Sequence, residues 1–126
     1  MLESNFQRQW TLNLSNPEFK SEINIDIDDT RTNDSVSVTV SLNYTAGAMK
    51  TPEISAVIKM VGVFIIGENG DLSIDNFAKI NAPAIIFPFL REHLASLSIK
   101  AGINPILLPP VNFVKHQHQK NKEITQ

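Results

Sequence analysis

The first half of the chain alternates apolar and polar positions with a period of two. Phe6, Arg8, Trp10, Leu12 and Leu14 fall on one face of the first segment. Ile23, Ile25 and Ile27 alternate with Asn24, Asp26 and Asp28, and Val36, Val38, Val40, Leu42 and Tyr44 alternate with Ser and Thr. Successive side chains on a strand point to opposite faces, so each segment predicts a half-buried antiparallel strand with one dry and one wet face. Asn16-Pro17 separates the first strand from the second, and the polar run Asp28 to Ser35 predicts a turn. Ile54 to Ile66 differs: it is apolar almost throughout, with Lys59 its only charge. That pattern predicts a fourth strand covered on both faces. Glu68-Asn69-Gly70-Asp71 predicts the turn that closes it, with Asn-Gly supplying positive φ.

The second half changes period. Leu72 to Ile80 predicts a short helical turn. Asn81-Ala82-Pro83 predicts the start of a long helix, with Asn81 as cap and proline in the first turn. The helix should reach about Ala101, with Gly102 as the residue after its end. Ile86, Leu90, Leu94, Leu97 and Ala101 form one apolar stripe. Ile85, Phe87 and Phe89 lie outside it, so the first half of the helix is apolar nearly all round. One sheet cannot cover both sides, which predicts a second subunit on this helix. Pro88 should kink it. Between Ile103 and Phe113, Pro105, Pro109 and Pro110 forbid helix and predict an extended segment lying on the body or on a partner. Lys115 to Gln126 reads as a polar tail in which Ile124 is the one apolar residue. The predicted class is α+β: a four-stranded antiparallel sheet on a long C-terminal helix, then an extended Pro-rich segment. Residues 1–114 form the predicted domain and 115–126 a flexible polar tail.

Composition narrows the chemistry. A chain of 126 residues, 42% hydrophobic and 19% charged, fits a single globular domain. A formal net charge of −2 without a clustered basic surface argues against nucleic acid. With no cysteine, disulfides, thiolate metal sites and thiol catalysis are excluded. Met1 to Trp10 lacks the apolar run of a secretory signal, and the apolar runs Val61–Ile66 and Ala82–Leu90 fall short of the ~20 residues a spanning helix needs. A cytoplasmic location without membrane insertion is the expectation.

Candidate reactive groups are few. Arg91, Glu92 and His93 are consecutive, so on a helix they point about 100° apart and cannot converge on one atom. His116-Gln117-His118 lacks the further ligands that a structural zinc requires. Asp26, Asp28 and Asp29 lack the glycine and distal glutamate of a calcium loop. Gly62, Gly67 and Gly70 match no nucleotide fingerprint, and no serine sits in a Gly-x-Ser-x-Gly elbow. The expectation is a protein that is not an enzyme and uses no metal or cofactor. What stands out instead is apolar surface: Trp10, Phe19, the two-sided strand, the two-sided helix and the Pro-rich segment. Together these exceed what one small domain hides, and they imply partners.

The run Asn81 to Phe113, NAPAIIFPFLREHLASLSIKAGINPILLPPVNF, resembles the signature of SecB-type chaperones. In that family a helix carrying FP(Y/F)xRE precedes an LxPVNF-like segment, matched here by Phe87–Glu92 and Leu108–Phe113. SEINIDID (Ser21–Asp28), DSVSVTVSLNYTA (Asp34–Ala46) and VGVFII (Val61–Ile66) are similar to the family's second, third and fourth strands. The resemblance implies a homotetramer, a dimer of dimers, with the helix at the interface through Ile86, Phe89, Leu90, His93, Leu94 and Leu97. It implies binding of unfolded or precursor polypeptides along apolar grooves without ATP, and their transfer to the SecA motor. Phe19 occupies the place of a family aromatic in the loop between the first two strands. Trp10, Val61, Leu108 and Phe113 are the other peptide-binding candidates. The family meets its motor through acidic residues, whereas the comparable places here hold Asn13, Pro17 and Val57, with Glu53 and Asp26 offset nearby. Typical members also continue into a second helix and an acidic tail, where this chain has Lys115 to Lys120. Two alternatives stay open. One is a SecB-like chaperone dedicated to one client, such as the antitoxin of a toxin–antitoxin pair. The other is a sheet protein that holds an apolar small molecule.

Overall fold

The computed structural model describes residues 1–48, 51–66 and 73–116. The period-two segments form β1 (Glu3–Arg8), β2 (Lys20–Arg31), β3 (Ser35–Gly47) and β4 (Ile54–Ile65). They make one sheet in the order β1-β4-β3-β2, with every neighbouring pair antiparallel. β2, β3 and β4 follow as a meander, while residues 9–19 carry the chain from one edge of the sheet to the other. β3 is the central dry strand. Val36, Val38, Val40 and Leu42 on its inner face are fully buried, and its outer face carries Ser, Thr and Asn up to Gly47 at its end.

A continuous helical stretch lies across the inner face: α1 (Ile74–Asn76), a π-helical turn (Phe77–Asn81) and α2 (Ala82–Lys100). Ile86, Leu90 and Leu94 face the sheet and fill the space beneath β3 and β4. Gly62 permits this approach, since a Cβ there would lie 2.9 Å from the Phe64 ring and 3.1 Å from Ile86 Cδ1. Phe64 also meets Phe77 edge to face at 5.1 Å, which seats the start of the helix on the end of β4.

Several expectations are corrected. β1 ends at Arg8, so Trp10, Leu12 and Leu14 leave the sheet. Arg8 turns back on the Gln9 and Trp10 carbonyls, and Asn16 N–H and Phe19 N–H bond the Asn13 and Asn16 carbonyls in successive turns. β2 runs on to Arg31, past the expected turn. Its polar end stays paired to β3, and the inward Asp29 is neutralised by Arg31 Nε at 2.7 Å. β4 is dry on one face only: Val63 and Ile65 on its outer face are 67% and 87% exposed. The helix begins eight residues before Ala82, with Ser73 Oγ accepting from Asn76 N–H, whereas Asn81 is helical and makes no side-chain cap. Ala82 N–H bonds the Phe77 carbonyl five residues back. That wide turn lets the helix accept Pro83, whose ring would otherwise press on the carbonyl four residues earlier. α2 also runs unbroken through Pro88, which leaves the Ala84 carbonyl without its i+4 donor.

The C-terminal part follows its prediction more closely. Gly102 takes φ +80, with Gly102 N–H on the Ile99 carbonyl and Ile103 N–H on the Ser98 carbonyl, a Schellman ending. The Pro-rich segment is extended and strapped over α2, with Leu108 buried beneath it. Buried Ser98 pins the strap: its Oγ donates within the helix and accepts Ile106 N–H at 2.9 Å. Residues 113–116 then form a helical turn, with Asn112 Oδ1 accepting Lys115 N–H. The folded body thus includes Lys115 and His116. The remaining expected tail, 117–126, and the turn Glu68–Asp71 lie outside the described residues.

Candidate functional site

Beside scattered exposed apolar side chains such as Leu2, Ile23 and Ile99, three surfaces leave apolar groups uncovered. The first is a trough of about 510 Å³ between α2 and the strap. Ala84, Pro88 and Ala95 line it at helical spacing, small enough to leave it open, and Phe87, Leu107 and Val111 complete its apolar wall. Arg91 and Glu92 stand on its rim, and among the described residues neither is in an ion pair. Leu107, which is 71% exposed, projects from the strap beside it.

The second place is the flank of α2 together with the far end of β4. Ile85 and Phe89 are half or more exposed on the helix. β1 stops opposite Lys59, so Met60 to Ile65 pair with β3 alone and leave one edge of β4 without a strand. The third place is the loop after β1, where Trp10 is 97% exposed. A second concavity, about 490 Å³, is polar, lined by Glu18, Lys20, Glu22 and residues 45–48.

The sequence-predicted site residues separate on this frame. Trp10 is on the loop and Phe19 is half-buried at the start of β2. Val61 is on the outer face of the sheet. Leu108 and Phe113 are in the core, where Phe113 meets Phe87 edge to face at 5.8 Å. These five do not line one groove, because Val61 is across the sheet from Leu108 and Phe113. Of the six helix residues assigned to an interface, Ile86, Leu90 and Leu94 are buried in the chain's own core, and Leu97 packs half-buried against it. His93 is half-buried and pairs through Nε2 with Ser4 Oγ at 2.8 Å. Phe89 alone of the six projects outward as a large apolar group. Ile85, Leu107, Val63, Ile65 and the rim charges are additions. For Ile85 the signal was the all-round apolar character of the helix. For Leu107 there was none, because an extended segment has no fixed face.

The ion pairs among the described residues form one surface network at the start of the helix. Arg31 bridges Asp29 and Asp75, with Nη2–Asp75 at 2.8 Å, and Lys79 joins Asp75 at 3.3 Å. Hydrogen bonds from Arg31, then from Lys79, hold the Asp75 carboxyl below the usual range. The Asp75 and Asp29 carboxylates in turn push the Arg31 guanidinium further up. Burial raises the Tyr44 hydroxyl, partly offset by a hydrogen bond with Ser21. Arg91, Glu92 and His93 point to different surroundings. Among the described residues no group of three or more His, Asp or Glu is placed to share a metal ion. His116 Nε2 lies 3.2 Å from the Ile25 carbonyl, tying the last described turn to β2, and His118 lies outside the described residues. No described helix is long and apolar enough to cross a membrane.

Comparison with known proteins matches residues 2–123 to the family model for preprotein translocase subunit SecB. The protein-export protein SecB of Burkholderia vietnamiensis is 31% identical over 106 residues, covering 83% of this chain and 67% of that protein. Those of Anaplasma phagocytophilum and Nitrosomonas europaea are 35% and 30% identical over 79 and 90 residues, which are 50% and 56% of their own lengths. The chain thus spans about half the length of these two curated relatives. A solved Mycobacterium tuberculosis SecB-like chaperone, in complex with a ChAD peptide from the HigA1 antitoxin, superposes with a TM-score of 0.75. It is 12% identical, and the match covers 88% of this chain and 85% of that one, which is a likeness of fold.

Proposed function

The chain belongs to the SecB family, and from that premise we propose that it is an ATP-independent cytoplasmic chaperone that holds unfolded polypeptides, in the first place precursors for export. The observation that carries this reading is the trough between α2 and the strap. It is apolar along its floor, open to solvent, and rimmed by one cation and one anion without partners among the described residues. Unfolded chains offer apolar side chains in many sequences, and shape-tolerant apolar contacts accept many of them. The strap adds a backbone group. Leu107, exposed on the strap, has an N–H that makes no bond to the described residues, so an extended client could pair with it without regard to its sequence.

Self-assembly is the second part of the proposal. Ile85 and Phe89 on α2 and the unpaired edge of β4 are the surfaces that a homodimer, and then a dimer of dimers, would cover. The test is calorimetric titration with a permanently unfolded secretory precursor, with the mass in solution followed by light scattering. The expected result is binding at micromolar affinity or better by a tetramer. Absence of binding by a folded, assembled protein would overturn the general holdase.

A dedicated-client chaperone is the second reading. It is favoured by the non-acidic Asn13, Pro17 and Val57, and by the fold neighbour's complex with an antitoxin peptide. Acidic residues do stand on the outer face of β2 (Glu22, Asp26 and Asp28), but at the opposite side of the sheet from β1. Salt-sensitive binding of the SecA motor would support the export role. Tight binding of one antitoxin, with none of unrelated unfolded chains, would support the dedicated one.

A further inference from the structure

A helix that turns about 100° per residue can present three sides, and α2 does. Ile86, Leu90 and Leu94 are buried against the sheet, Ile85 and Phe89 project on a second side, and Ala84, Pro88, Arg91 and Ala95 line the trough on a third. The trough side is thus separate from the side assigned above to self-assembly. Its middle residue is a proline in the helix interior, the least favourable residue there by a wide margin. Pro88 has no N–H, so the Ala84 carbonyl lacks the donor that any other residue at position 88 would supply. Among the described residues no group outside the helix replaces that donor, and the nearby strap bond from Ile106 N–H goes to Ser98 Oγ. The helix treats its other proline differently. Before Pro83 the ladder widens, with Ala82 N–H on the Phe77 carbonyl, whereas around Pro88 it stays α-helical and one acceptor is left over.

Ala84 and Pro88 both line the trough, so the carbonyl between them belongs to its helix wall. Leu107, whose N–H makes no bond to the described residues, belongs to the strap wall opposite. An acceptor on one wall and a donor on the other, in apolar surroundings, match the N–H and C=O of an extended backbone and no particular side chain. Filling the trough with apolar side chains would also drive out the water that competes for both groups. We propose that Pro88 is a positioning residue: by withholding its own N–H it keeps the Ala84 carbonyl as an acceptor for a backbone N–H of an extended client segment in the trough. The proposal rests on the chaperone reading above and sharpens it by naming the client class, apolar extended segments with a free peptide N–H at one register position. Proline at that position of the client is selected against. Helix stability is given up at Pro88, and the missing hydrogen bond is made only when a client is bound.

The experiment uses the full chain in its assembled form. The probe is a dye-labelled peptide with one central Leu-Val-Leu block between Ser-Gly flanks, together with versions N-methylated at one amide of the block at a time. Wild type should bind one methylated version roughly threefold to tenfold more weakly than the parent peptide, the worth of a single hydrogen bond. Pro88→Ala and Pro88→Val restore the N–H at position 88, and valine keeps the apolar bulk. Both should raise the thermal midpoint, bind the parent peptide more weakly than wild type does, and lose the discrimination against that methylated version. A gain in stability together with a loss of backbone sensitivity is a signature that a purely structural proline would not produce. Equal binding of every methylated version by wild type, or discrimination that persists at the same amide in both variants, would overturn the role of Pro88 and leave the chaperone reading standing. A lower assembled mass of both variants by light scattering would assign the carbonyl to a contact between copies and overturn the proposal. Failure of wild type to bind the parent peptide or any unfolded polypeptide would instead remove the chaperone reading, and the role of Pro88 with it.

Discussion

On the side of α2 that faces the sheet, Ile86, Leu90, Leu94 and Ser98 are buried, and Gly62 across from them has no room for a methyl group. On its other sides, Ile85 and Phe89 project into solvent, and Ala84, Pro88 and Ala95 floor an open trough. Phe89 and Leu90 are neighbours in the chain and nearly equal in hydrophobicity, yet one is 65% exposed and the other fully buried. A helix turns about 100° per residue, so a single step moves a side chain from the core to a surface that only another molecule can cover. Apolar character alone therefore does not distinguish residues that hold the fold from residues that meet a partner.

The sharpest way to break this comparison is a charge on each side. Leu90→Asp would bury a carboxylate with no cation near it, at a cost of about 3–5 kcal/mol, a large part of the stability of a small domain. Loss of a cooperative thermal transition is the expected outcome. Retention of the native melt would mean that Leu90 is not in the core. Next in size is Ser98→Ala, which strands Ile106 N–H beneath the strap and should cost about 1–3 kcal/mol in urea titration. A smaller loss would show that water replaces the hydroxyl and that the strap is held by Leu108 instead.

Asp75→Asn comes third. The folded Asp75 carboxyl is depressed below its ordinary pKa by Arg31 and Lys79. Its contribution is therefore present above the ordinary aspartate pKa and is lost as pH falls through the depressed one. The variant should be slightly less stable than wild type at neutral pH and low salt. The difference should vanish in acid and in concentrated salt, because the network is exposed; a difference that survived both would point to packing. Smallest for the fold is Phe89→Asp, expected to shift chain stability by about 0.5 kcal/mol or less while lowering the assembled mass seen by light scattering. A monomer that unfolds with Phe89→Asp would erase the distinction between the two sides.

Much of the architecture was legible beforehand. The alternation in Val36 to Tyr44 needs no long-range information, because period two with β-branched residues places one face in the core. The Gly102 ending and the Pro-rich extended segment were readable for the same local reason: φ and N–H availability belong to the residue itself. The misreadings arose where distant groups decide. Trp10, Leu12 and Leu14 keep the alternation of β1, but Arg8 meets the end of α2 and the chain turns away. Asn81 and Pro83 look like a helix start, but Ser73 caps an earlier one and a wide turn absorbs the proline. The even apolar character of β4 suggested two covered faces, whereas nothing in the described chain covers Val63 or Ile65.

By itself the sequence determined that four strands, a long helix and an extended Pro-rich segment follow one another, and it carried their kinship. Those features follow from periodicity and from the fixed dihedral preferences of proline and glycine. Only the tertiary structure decided which apolar residues remain in water. That depends on which strand ends where, on how closely α2 approaches the sheet, and on which carbonyls a single arginine reaches, and each of these is a contact between residues far apart in the chain.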